Sequence, residues 1–409
     1  MLYDAYEVQR SFLAGASKLA GLGAGWLTNP ANPFSYVTTS PLIAASLEVF
    51  SHAAAPRGKP EFGLETTVVR GKQVAVREEV VLRKPFGQLK RFVREGVEDG
   101  PRLLLVAPMS GHYATLLRGT VERMLPGHDV YITDWRDAKL VPVGEGHFDL
   151  DDYVDYLVEF LETIGERTGE RPHMIAVCQP SVPAFAATAL MNADKHRFRP
   201  KTLTMMGGPI DTREAPTAVN TLATQRPLSW FRHNVIATVP AIYPGSGRKV
   251  YPGFLQLAGF MAMNLGDHLV SHWEMYKHLV VGDDESAEAT RAFYDEYRSV
   301  CDMTAEFYLQ TVEVVFQKHL LPRGRFRHRG KRIDPAAITD TALLAIEGER
   351  DDISGLGQTR AALGLAPNLA GGRKKYFMAP DVGHYGIFNG RKWREVIAPV
   401  VEEWIAANS

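Results

Sequence analysis

The sequence predicts an α/β fold, a mostly parallel central sheet flanked by helices, with a largely helical insertion and a helical N-terminal extension. Three observations predict it. Short apolar runs at residues 103–107, 129–133, 173–177, 202–206, 343–347 and 376–378 have the length of buried strands. Helical spacing between several of these runs makes strand and helix alternate, as the crossovers of a parallel sheet require. Finally, the gap between the runs ending at Met206 and starting at Leu343 exceeds a hundred residues, far more than a crossover helix needs.

Taken in order, residues 1–60 form the extension. Residues 2–19 and 42–54 have amphipathic helical spacing, and the breaker-rich Asn29-Pro30-Ala31-Asn32-Pro33 lies between them. The first part of the core, residues 61–211, opens with valine-rich 62–69 and 73–82 around Arg70-Gly71-Lys72, a hairpin pattern. Leu150, Tyr153, Val154, Leu157, Leu161 and Ile164 follow a helical period behind the capping residue Asp149. Residues 181–193 and 393–406 read as further helices, and 339–409 completes the core. The insertion, 212–338, is helical in pattern, most clearly over 290–316. It is dense in large apolar residues (Trp230, Phe231, Tyr243, Tyr251, Phe254, Phe260, Met261, Met263, Trp273), most of which serve as its own core.

The 409 residues carry a formal net charge of -1, which excludes the strong positive field of a nucleic-acid binder. The first twenty residues include Asp4 and Glu7 and lack a basic start and an apolar h-region, so a cytoplasmic protein is expected. No uncharged apolar run reaches the roughly 18 residues of a spanning helix. The two cysteines, Cys178 and Cys301, are expected as thiols, and Cys301 as a small buried hydrophobe within the helical pattern of 294–316.

The sharpest motif is Ile175-Ala176-Val177-Cys178-Gln179-Pro180-Ser181, a thiol where a strand ends and a helix begins. A nucleophile on such a turn needs small flanking residues; Ala176 is small, and Pro180 suits a first helical turn. The local string alone serves a buried core cysteine equally well. What favours catalysis is chain order, nucleophile then acid then base. Asp351, preferred to Asp352, follows the 343–347 run, and His384 follows 376–378 between Gly383 and Gly386. His384 would take the thiol proton, with Asp351 orienting its ring. The backbone N–H groups of Gln179 and of Met109 or Ser110, in the loop after 103–106, would form the oxyanion hole. A plain turn is the alternative reading of that loop.

No cofactor or metal is expected. His268 and His272 sit four apart without further ligands, and Gly207-Gly208-Pro209 lacks the Lys-Ser/Thr of a phosphate loop. The basic run 322–332 reads as a solvated loop or a contact for an acidic surface.

In these motifs the chain resembles the intracellular polyhydroxyalkanoate (polyhydroxybutyrate) depolymerases. The resemblance rests on the Met1-Leu2-Tyr3 opening, the Ala107–Tyr113 loop, Cys178-Gln179-Pro180-Ser181, residues 347–353 and residues 383–388. It implies an α/β-hydrolase fold, Cys178, Asp351 and His384 as the triad, and hydrolysis of amorphous storage polyester at the granule surface. Cap aromatics such as Trp230 and Trp273 would then meet the polymer. The related polyester synthases look similar but place glycine two residues after the cysteine, where this chain has Pro180. A coenzyme A-dependent acyltransferase or thioesterase and a non-catalytic granule coat are the other readings, and a homo-oligomer is left open.

Overall fold

The computed structural model describes residues 2–37, 39–263, 295–296 and 298–409. Its centre is a nine-stranded sheet: β1 (Thr66–Val69), β2 (Lys72–Lys84), β3 (Gly87–Arg94), β4 (Arg102–Val106), β5 (Asp129–Trp135), β6 (His173–Val177), β7 (Thr202–Met206), β8 (Ala342–Gly348) and β9 (Lys374–Ala379). The spatial order is β1-β2-β3-β5-β4-β6-β7-β8-β9. Pairing is antiparallel from β1 through β3 to β5 and parallel from there on. This strand order, with an extra edge hairpin, is that of an α/β-hydrolase.

Central strands β4 to β8 are buried on both faces, which is why they read as continuous apolar runs. Strand β3 escaped the sequence reading because Lys90 and Arg91 stand between the buried Leu89 and Phe92 and break the apolar pattern. Arg91 pairs with Asp129 at 2.8 Å, so the charges belong to a packed strand. Helix α3 (Leu150–Thr168) starts as expected at Asp149, whose carboxylate accepts from the Asp152 N–H while Asp152 reciprocates, a capping box. Helix α4 (Ser181–Ala193) follows β6 and is almost wholly buried. The last helix begins as a widened turn, Trp393–Ile397, before α5 (Ala398–Ala407), because Pro399 has no N–H to close a regular bond.

The extension is a helical hairpin of α1 (Leu2–Thr28) and α2 (Ser40–Ala54). Helix α1 runs past the expected end at residue 19 because its glycines allow close packing. A Cβ on Gly21 would sit 3.0 Å from Ser51 Oγ, and one on Gly23 3.2 Å from Leu47 Cδ1. Ser17 and Ser51 also exchange hydroxyl-to-carbonyl hydrogen bonds of 2.8 and 2.9 Å. At its start α1 is moored by Tyr3, whose hydroxyl donates to Asp302 at 2.6 Å, and by Tyr6 stacked on Phe254 with ring centroids 3.8 Å apart.

In the insertion, the expected helix over 290–316 is interrupted: residues 295, 296 and 298 are helical, Met303–Thr304 is a strand against Lys249–Tyr251, and helix resumes over Ala305–Thr311. Contacts with the core explain the interruption. The Cys301 N–H donates to Gly111 O and the Asp302 N–H to Asp137 Oδ1, so those groups are taken before a helix can use them. Cys301 is buried, as expected, though not on a helix. Trp273, His268 and His272 lie outside the described residues, as do the side chains of Phe260, Met261 and Met263. Of the other apolar residues named for the insertion, Phe231 is buried, and Trp230, Tyr243, Tyr251 and Phe254 are half-buried. Among the described residues no helix is long and apolar enough to cross a membrane.

Candidate active site

Strand β6 delivers its chain into the sharp turn that the sequence led us to expect. Cys178 has φ 68°, a left-handed conformation that costs a non-glycine residue roughly 1–3 kcal/mol. The turn is held there because the Cys178 N–H donates to Met206 O at 2.7 Å, and α4 begins three residues later. Such strain fixes the thiol on the crest of the turn, above the carboxyl ends of the strands.

Asp351 lies just beyond β8, and His384 opens a short helical turn beyond β9. His384 Nδ1 donates to Asp351 Oδ2 at 2.7 Å, and Asp351 Oδ1 accepts from the Ile353 and Ser354 N–H groups at 2.9 and 2.8 Å. Both carboxylate oxygens are thus committed, while Asp352 is exposed. The His384 ring also stands beside Cys178, and both line the same cavity. Burial by itself would disfavour the His384 imidazolium, but the charges of Cys178 and Asp351 and their hydrogen bonds outweigh it and hold its pKa well above the ordinary value.

Sequence reading missed two supports. The first is Gly207-Gly208, dismissed as a phosphate loop. A Cβ on Gly208 would lie 2.1 Å from Ser181 Oγ, and one on Gly207 would lie 3.1 Å from His384 Cε1 and 3.2 Å from Asp351 Oδ2. Glycine lets this backbone pass directly against the triad. The second is Glu347, fully buried in β8. It accepts from the N–H groups of Gly357, Thr359 and Arg360 at 2.9, 2.8 and 2.9 Å and from the Tyr376 hydroxyl at 2.8 Å. Thr359 in turn bonds both the N–H and the carbonyl of Gly208, at 2.8 and 3.0 Å. A buried carboxylate so placed ties the turn after Asp351 to the glycines under His384. A signal existed: glutamate inside an apolar strand run is a buried charge that must find partners.

Cys178 and His384 open onto a cavity of about 410 Å³, whose wall also includes Met109, Ser110 and Gln179. The three residues expected to supply oxyanion donors are therefore brought to the thiol. The insertion closes the cavity with Phe231, Tyr251 and Phe307, so its wall is mainly apolar. Gln179 Oε1, Gln256 Oε1, Thr311 Oγ1 and Ser354 Oγ, all from residues lining this cavity, are buried without a hydrogen-bond partner among the described residues.

Among the described residues, His147, Asp149 and Asp152 come closest to a metal-ligand arrangement, but the two aspartates are the capping box of α3. Cys301 takes no part in the site. Its Sγ lies 3.6 Å from His112 O, and burial pushes its thiol pKa well up.

Residues 207–409 match the family described as PHB de-polymerase C-terminus. The chain is 23% identical to the poly(3-hydroxyalkanoate) polymerase subunit PhaC of Haloarcula marismortui over 63% of its own length and 51% of that protein's. It thus spans about half the length of this curated relative. Solved structures that are similar include a thermophilic esterase from Thermogutta terrifontis (13% identity, TM-score 0.41, 84% of this chain and 98% of that one). Another is the 2-hydroxy-6-oxo-6-phenylhexa-2,4-dienoate hydrolase of Rhodococcus sp. strain RHA1 (12% identity, TM-score 0.45, 81% and 99%). The fold is that of an α/β-hydrolase, and residues 207–409 are similar to the PHB de-polymerase C-terminus.

Proposed function

We propose that this protein is a depolymerase that hydrolyses the ester bonds of poly(3-hydroxybutyrate) or a similar short-chain polyhydroxyalkanoate, acting at the surface of the storage granule. The observation that carries this reading is the buried Asp351–His384 hydrogen bond of 2.7 Å, supplied by the segment that matches PHB de-polymerase and coupled to Cys178 at the mouth of an apolar cavity.

In this mechanism the Cys178 thiolate attacks an ester carbonyl, and the Gln179 N–H with that of Met109 or Ser110 holds the oxyanion. Collapse breaks the ester C–O bond, and the His384 imidazolium gives its proton to the departing alkoxide, leaving an acyl-thioester. His384, now neutral, takes a proton from water, whose hydroxide attacks the thioester; the C–S bond breaks, the acid product leaves, and the Cys178 thiolate beside the His384 imidazolium is restored. Asp351 keeps the imidazole in the required tautomer and stabilises its charged form. Products are 3-hydroxybutyrate oligomers and monomers.

The similarity to a polymerase subunit favours a second reading, acyl transfer from a coenzyme A thioester to a growing chain. Both are tested by incubating the protein and its Cys178→Ala variant with amorphous poly(3-hydroxybutyrate) and, separately, with 3-hydroxybutyryl-coenzyme A. Release of 3-hydroxybutyrate by the parent and none by the variant is expected. Polymer formed from the thioester, with no release from the polyester, would replace hydrolysis by synthesis.

A further inference from the structure

More than half of the large apolar side chains exposed among the described residues lie between Val8 and Phe50, in the N-terminal hairpin. Helix α1 buries one face on α2 and turns Phe12, Leu19, Leu22 and Trp26 outward, with Phe12 75% and Leu22 72% exposed. The pattern continues through Phe34 and Tyr36 in the connecting turn to Leu42, Ile43 and Phe50 on α2. Soluble surfaces rarely carry an apolar patch of this extent, and one this large marks a binding surface.

Charge decides what kind of partner fits. Residues 19–47 contain no Asp, Glu, Lys or Arg, between Lys18 and Glu48, in a chain that is 23% charged. An anionic lipid surface is met by clustered Lys and Arg, and none stand here. Leu42 and Ile43 are adjacent in sequence, so their side chains point about 100° apart around α2 and do not share a single packing seam. A tip clothed on both helices and the turn suits a broad, uncharged, deformable phase better than the one face a second copy would bury. The residues named for the catalytic cavity include none from this hairpin, so docking and cleavage are separate surfaces.

We propose that the apolar tip of the α1–α2 hairpin docks the protein onto amorphous polyester, a role the cap aromatics were expected to play. The proposal rests on the depolymerase reading for the identity of the phase. The test compares Phe12→Ser/Leu22→Ser/Trp26→Ser with the parent, both also carrying Cys178→Ala so that binding is read without cleavage. Sedimentation with protein-free amorphous poly(3-hydroxybutyrate) particles should show at least a tenfold loss of partitioning. In the active background, turnover of a soluble 3-hydroxybutyrate trimer and the hydrodynamic size should be unchanged.

Unchanged partitioning overturns the proposal. So does a fall from dimer to monomer, which makes the face an interface between copies, or a loss of trimer turnover, which makes it a packing surface of the chain itself. Equal binding of the parent to neutral phosphatidylcholine vesicles assigns the face to lipid instead. If the parent partitions through the hairpin but hydrolyses neither particle nor trimer, the depolymerase reading fails and the docking surface stands.

Discussion

The catalytic corner and the N-terminal hairpin invert the ordinary rule of apolar inside and polar outside in opposite ways. At the corner, Asp351, His384 and Glu347 are buried and each has its hydrogen-bond partners. On the hairpin, aromatic and aliphatic side chains face outward. Buried charge is costly unless paired, and exposed apolar surface is costly unless covered, so each region indicates what it must meet. The corner pairs its buried charges within the fold, whereas the hairpin leaves its apolar side chains exposed.

The sharpest way to break this comparison is to remove chemistry while leaving the hairpin alone. Cys178→Ala should lower ester hydrolysis by at least about 10⁴-fold without changing particle binding, measured by trimer turnover and sedimentation. Asp351→Asn should fall between that variant and the parent. It leaves the His384 ring with the wrong tautomer, which kcat for the soluble trimer should register.

Thiol reactivity tests the ion pair directly. Cys178 and Asp351 hold the His384 pKa well above its ordinary value, which favours the protonated ring beside Cys178. Iodoacetamide should alkylate Cys178 at pH 7 and leave the buried Cys301 intact, and His384→Ala should slow alkylation on the order of tenfold. Equal labelling of both cysteines would place the elbow thiol in an ordinary environment.

A smaller effect is expected from Glu347→Gln, which opposes an amide N–H₂ to the backbone donors of Gly357, Thr359 and Arg360. It should reduce kcat for the soluble trimer by about tenfold with KM within twofold, per titrated Cys178 thiol. A loss seen only in expression or melting temperature would make Glu347 a stabilising group without influence on the triad.

The smallest effect concerns the mooring of the hairpin. Burial and the neighbouring Asp137 raise the Asp302 pKa to about 6, although Lys139 and the Tyr3 hydroxyl act the other way. Its folded value lies above its ordinary 3.8, so the native state binds the proton more tightly than the unfolded chain. Stability from this group is therefore present at low pH and is lost as pH rises from about 3.8 through about 6. Asp302→Asn should flatten the stability–pH slope in that window, measured by denaturant unfolding, and leave trimer turnover unchanged.

Much of this was legible before any coordinates. Periodicity placed β6, β7, α3 and α4, because a strand buried on both faces and a well-capped amphipathic helix each leave a local pattern. Chain order after Cys178 singled out Asp351 and His384, which the fold brings to a 2.7 Å hydrogen bond. Tertiary structure decided the rest, where the governing contact is distant in sequence. Strand β3 is packed despite its charges because Arg91 finds Asp129, and the 299–304 segment is extended because Gly111 and Asp137 take its backbone bonds. Gly207-Gly208 matters only because Ser181, His384 and Asp351 converge on it from three other elements. A sequence records which residues prefer a strand, a turn or a buried place, but convergence of distant groups is a property of the folded chain alone.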